Sequence, residues 1–123
     1  MFPAARAYIR RMSDDRLLSG LAALAQPMRL QLYRLLVDAG PAGSGPVALS
    51  NAAGIQRNLV SYHLQPLVAA GLVRSERRGR DVNYGVVAGG LDRLATELLS
   101  IGMRDLGNGG DLRVPRNGGD VQT

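Results

Sequence analysis

The stretch VALSNAAGIQRNLVSYHLQPLVAAGLVRSERRGRDVNYGVV, residues 47–87, decides the fold of this chain. It opens on a short helix, Val47 to Ala53, whose small apolar residues Val47, Leu49, Ala52 and Ala53 offer inward contacts, and Gly54-Ile55 then makes a tight turn. From Gln56 to about Ala70 a second helix carries Val60, Leu64, Leu67 and Val68 on one face and Arg57, Asn58, Ser61, Tyr62 and Gln65 on the other. Pro66 falls inside it. The loss of one amide donor there predicts a kink rather than a break, because Leu64, Leu67 and Val68 keep the helical pattern. Gly71 closes the helix and the period becomes alternating: Leu72 to Arg77 is one strand, Arg78-Gly79-Arg80-Asp81 a turn, and Val82 to Val87 the returning strand of a β-hairpin.

Upstream, Gly40 to Pro46 is a loop by composition. It follows a helix from Pro27 to about Ala39 with Met28, Leu32, Leu35, Leu36 and Ala39 on one face. Before the Gln26-Pro27 break, Ser13 is positioned to cap a first helix bearing Leu17, Leu18, Leu21 and Leu24, and Asp14 and Asp15 suit its positive end. Residues 1–12 form an N-terminal arm, of which 3–12 add a helical turn or two. Downstream, a last helix from about Leu91 to Leu106 carries Leu91, Leu94, Ala95, Leu98, Leu99 and Gly102, a stripe wider than packing on one side requires. Residues 107–123, rich in glycine and poor in apolar side chains, are expected to be a disordered tail. Residues 13–106 therefore make one domain of the mainly α (α+β) class, with about five helices and a two-stranded hairpin.

Helix, helix, short helix, tight turn, helix and basic hairpin, in that order, is the layout of a winged helix-turn-helix. In it the short helix braces on the duplex backbone and the helix starting near Gln56 enters the major groove. Gln56, Arg57, Asn58, Ser61, Tyr62, His63 and Gln65 are then the candidate DNA contacts, Arg being suited to guanine edges and Asn or Gln to adenine. At the hairpin tip Arg77, Arg78 and Arg80 are placed to follow a flanking minor groove or phosphate strand. With Arg74 they put four arginines in seven residues, against Glu76 and the adjoining Asp81, so phosphate contact outweighs a merely solvated hairpin. Tyr62 reads either as a base reader or as core. Tyr84 reads as a packing residue of the wing whose hydroxyl needs a partner. His63 has no partner ligand for a metal and reads as DNA-facing or helix-packing, with a pH effect on binding as a consequence.

Composition agrees and excludes much else. The chain of 123 residues has a net charge of +5, all 15 of its basic residues are Arg, and it contains one His and no Cys. Disulfides, thiolate metal sites and cysteine nucleophiles are excluded. No paired-carboxylate motif, phosphate-cradling glycine loop or nucleophile elbow appears, so an enzyme is not expected, nor any cofactor or metal. No apolar run approaches the ~20 residues of a membrane span, and no secretory leader is read, so the expected compartment is the cytoplasm. The rival reading is a winged helix used for protein–protein contact or RNA binding without operator specificity.

Three segments, in order, resemble one family. Ala25–Leu36 is similar to its "LA-x-P-x-R-L-x-I-L-x-L-L" segment and Val60–Leu67 to its "V-S-x-H-L-x-x-L" recognition helix. Ala70-Gly-Leu-Val-Arg74 with Arg78–Tyr84 is similar to "AGLV" followed by "R-x-G-R-x-x-x-Y". Together they resemble the ArsR/SmtB family of bacterial repressors. The resemblance implies a homodimer built through the first and last helices, with Leu17, Leu18, Leu21, Leu91, Leu94, Leu98 and Ile101 at the seam. It also implies double-stranded operator DNA with an inverted repeat as the partner, and release by an inducer, here of unidentified chemistry. The family's thiol sensing is excluded by the lack of Cys. Its metal site on the last helix is reduced to Asp92, Glu97 and Asp105 without His, a set that favours hard cations. The loop before the short helix is a few residues longer than the common family pattern.

Overall fold

The computed structural model describes residues 3–107. Five helices and a hairpin follow in the order α1 (Pro3–Leu24), α2 (Pro27–Ala39), α3 (Pro46–Ala53), α4 (Arg57–Ala69), β1 (Val73–Arg78), β2 (Asp81–Val86) and α5 (Gly90–Gly107), with a 3₁₀ turn at Gly40–Ala42. The expected disordered tail lies, beyond Gly107, outside the described residues.

One boundary differs from expectation. Helix α1 is continuous from Pro3, so Ser13 lies mid-helix and does not cap it. The residues ahead of it, Ala4, Ala5, Arg6 and Ala7, are strong helix formers, and Pro3 sits in the first turn, where its missing amide costs no hydrogen bond. The α1–α2 break is built as the sequence suggests. The Gln26 side-chain carbonyl accepts from the Arg29 amide at 2.8 Å, capping α2. The Arg29 guanidinium reaches back, Nε donating to the Ala23 carbonyl at 2.7 Å and Nη2 to that of Ala22 at 3.2 Å, which satisfies the open end of α1.

The core is a contact of α2, α3, α4 and β1: Leu32, Leu36, Leu49, Val60, Leu64, Leu67 and Val73 are its fully buried side chains. Burying each contributes about 1.5–3 kcal/mol, so this set carries the fold. Ala23 and Tyr33 join it without having been expected. Val47 and Ala52, expected to point inward, are exposed, because so short a helix as α3 turns little more than Leu49 to the core. Pro66 does not end α4: the Ala70 amide donates to the Pro66 carbonyl at 3.0 Å, so the next turn closes normally.

The two strands pair antiparallel from Val73 opposite Val86 to Arg78 opposite Asp81. The turn is therefore Gly79-Arg80 alone, tighter than the four residues expected, and Gly79 has φ +64° as the first position of a type II′ hairpin requires. The long loop is not idle. Ser44 and Tyr84 exchange both backbone hydrogen bonds, at 2.8 and 2.9 Å, and Asn83 Nδ2 donates to the Ala42 carbonyl at 2.9 Å. Gly43 permits this close approach, since a Cβ there would lie 2.3 Å from the Tyr84 carbonyl oxygen.

Helix α5 packs on α1 where Leu94 covers Gly20, and Leu17 and Leu94 are only 8% and 7% exposed. Among the described residues no helix is long and apolar enough to cross a membrane.

Candidate nucleic-acid interface

Helix α4 begins at Gln56, whose extended backbone (φ −67°, ψ 147°) makes it the N-cap although its side chain makes no capping hydrogen bond. Gln56, Arg57, Asn58, Ser61, Tyr62 and Gln65 are all exposed, on the side opposite buried Val60, Leu64 and Leu67. Tyr62 is 70% exposed, which rules out the core reading. His63 is half-buried. Its Nδ1 is shut away without a hydrogen-bond partner, and its ring meets Tyr62 edge-on at 5.3 Å. Ser61 does more than face outward: its Oγ lies 3.1 Å from the Tyr84 hydroxyl, which answers the need for a partner that the sequence posed.

In the wing, Arg77, Arg78 and Arg80 are exposed. Glu76 sits 3.1 Å from the Arg78 guanidinium and 3.7 Å from that of Arg74. Arg77 and Arg80 have no carboxylate within ion-pair distance among the described residues, so the uncompensated charge is concentrated on those two. Arg74 departs from the expected phosphate role. Its Nη2 donates to the Pro41 carbonyl at 2.8 Å, tying the base of the wing to the loop after α2. Its partner across the ladder is Gly85, where a Cβ would come within 2.4 Å of the guanidinium. The Arg74–Gly85 pairing was visible in neither the charge pattern nor the turn chemistry. It follows from register alone.

The residues expected at a dimer seam divide into two sets. Leu17 and Leu94 are spent on the α1–α5 contact within the protomer, and Leu21 is half-buried. Leu18, Leu91, Leu98 and Ile101 are exposed, as are Leu99 and Met103. No group of three His, Asp or Glu side chains able to hold a metal ion occurs among the described residues.

A family model described as a helix-turn-helix domain matches residues 24–76, from the end of α1 into β1. The ArsR-like transcriptional regulator of Rhodococcus sp. RHA1 superposes with a TM-score of 0.65 at 29% identity, over 75% of this chain and 84% of that one. The chain has a winged helix-turn-helix fold similar to that of ArsR-like transcriptional regulators. Vibrio cholerae HlyU is also similar, with 26% identity and a TM-score of 0.56 over 71% of this chain and 90% of that one. The ArsR-like architecture recurs in the homodimeric winged helix-turn-helix DNA-binding domain of Mycobacterium bovis Mb0332. That domain covers 93% of this chain and 97% of its own, with a TM-score of 0.57 and 23% identity. No curated protein matches by sequence. The chain is homologous to ArsR-family DNA-binding transcription regulators, and its fold is that of regulators rather than enzymes.

Proposed function

We propose that this ArsR-like protein is a cytoplasmic, homodimeric repressor that binds an inverted repeat. Helix α4 lies in the major groove and the wing rests on flanking DNA. The observation that carries this reading is the exposed polar face of α4, from Gln56 to Gln65, standing beside the uncompensated Arg77 and Arg80. Arg57 addresses guanine edges, Asn58 and Gln65 adenine, while Arg77, Arg78 and Arg80 meet phosphates. His63 contributes at most one edge of its ring, since Nδ1 faces inward. The exposed apolar row Leu18, Leu91, Leu98 and Ile101 supports dimerisation through α1 and α5, as does the homodimeric state of the Mycobacterium bovis neighbour. Two copies of α4 would then read half-sites about one helical turn, ~34 Å, apart. An inducer, if this protein answers to one, is of unidentified chemistry.

The test is a fluorescence anisotropy titration of duplex DNA from upstream of this protein's own gene against a scrambled duplex, over a salt series. Roughly 10³-fold or greater preference for the upstream duplex is expected. Charge reversal at Arg57 and Arg78 should abolish binding while circular dichroism shows an intact fold. Retained binding in that variant would overturn the placement of the site.

A further inference from the structure

An open cleft of about 740 Å³ lies between α1, the end of α4 and the first turns of α5. Its volume falls within the ~300–1,000 Å³ of small-molecule sites. Met12, Leu17, Leu72 and Leu94 line it with apolar surface, and the exposed residues Arg16 and Arg93 also border it. Neither arginine makes a hydrogen bond or an ion pair among the described residues. Glu97, the carboxylate of the lining, has interactions of its own. Gly90, the first residue of α5, also borders the cleft.

We propose that this cleft binds a small amphipathic organic anion whose apolar body fills the chamber and whose acid group meets Arg16 and Arg93. A neutral molecule would leave two cations unneutralised beside apolar walls. An inorganic anion would leave those walls unfilled. The occupant touches Ala69, Ala70 and Gly71, the last residue of α4, its C-cap and the residue that follows. Gly71 turns with φ +78° towards β1, so a shift at this point moves one end of a 13-residue helix whose other end carries Arg57. The Ser61–Tyr84 contact makes the wing follow. The effect on DNA rests on the proposed regulator function, but binding of the anion does not.

Anilinonaphthalene sulfonate has the required chemistry and reports its own binding by fluorescence; phenylnaphthylamine has the same aromatic body without the acid group. With the full chain, saturable sulfonate binding at one site per protomer is expected, with the neutral analogue roughly tenfold or more weaker. Arg16→Gln/Arg93→Gln should weaken the sulfonate roughly tenfold or more at unchanged melting temperature, while Arg104→Glu, outside the cleft, should leave it unaltered. Absence of saturable binding, equal binding of the two dyes, or equal loss in the Arg104 variant would overturn the proposal. Because no DNA is present, failure here and failure of the regulator reading are separate results.

Discussion

The hydroxyls of Ser61 and Tyr84 lie 3.1 Å apart, joining the outward face of α4 to the second strand of the wing. Tyr84 is only 7% exposed, so its hydroxyl has little water to turn to if Ser61 is lost. The two DNA-facing elements are thereby held at one fixed angle, and this contact supplies the first prediction. Ser61→Ala and Tyr84→Phe should each destabilise by about 1 kcal/mol, and the double variant by less than the sum, with a coupling of about 0.5–1.5 kcal/mol in urea unfolding. Strict additivity would mean that the bond contributes nothing in solution.

Two glycines beside the wing should rank clearly. Gly43→Ala places a Cβ against the Tyr84 carbonyl at a residue with φ +74°, and both atoms belong to backbone that cannot step aside. A cost of about 2 kcal/mol or more is expected. Gly85→Ala meets only the tip of the Arg74 side chain, which can swing away at the loss of its bond to Pro41, for about 1 kcal/mol. Thermal melts giving the reverse order would refute this account of the loop.

The arginines of the wing should separate by salt dependence. Arg80→Ala removes a cation with no carboxylate partner and should lower the slope of log K against log salt by about one. Arg74→Ala should leave the slope unchanged and lower the melting temperature, because that guanidinium is bound to the Pro41 carbonyl. A slope change of equal size in both variants would return Arg74 to the DNA interface.

Apolar residues of α5 should fail in two different ways. Leu94→Ala opens the packing over Gly20 and should cost about 2–5 kcal/mol of stability. Leu98→Glu with Ile101→Glu alters exposed positions and should leave the fold intact while halving the mass seen in sedimentation. A dimer that survives this pair of charges would place the seam elsewhere.

Tyr33 gives a pH prediction. Burial, and secondly the Asp92 carboxylate, push its hydroxyl above the usual tyrosine range. The folded state therefore holds the proton more tightly than the unfolded chain. The resulting stabilisation is complete below the unfolded value of about 10 and is lost as pH rises through the folded one. Tyr33→Phe should remove that alkaline loss when unfolding is measured from about pH 9 to 12. An identical alkaline profile in the variant would exclude Tyr33 as its source.

Much of the architecture was legible because periodicity follows directly from backbone geometry. The stripe Val60, Leu64 and Leu67 needed only the 3.6-residue repeat, and the hairpin needed only alternation around Gly79. The polar face of α4 was equally readable, being the complement of its buried face. Errors arose where local signals compete. Ser13 looks like a cap, yet the alanines and arginine before it propagate a helix from Pro3.

By itself, then, the sequence of this chain determined the order and type of its elements, the buried rows of α2 and α4, and the arginine-rich tip of the wing. These depend on spacings of three or four residues along one chain. Only the tertiary structure decided that Arg74 binds the Pro41 carbonyl rather than facing outward, that Ser61 meets Tyr84, and that Leu17 and Leu94 are spent within the protomer. It also brought Arg16 and Arg93 to one cleft. Each of these joins residues distant along the chain, and such pairs are set by register and packing angle, which no local pattern of residues encodes.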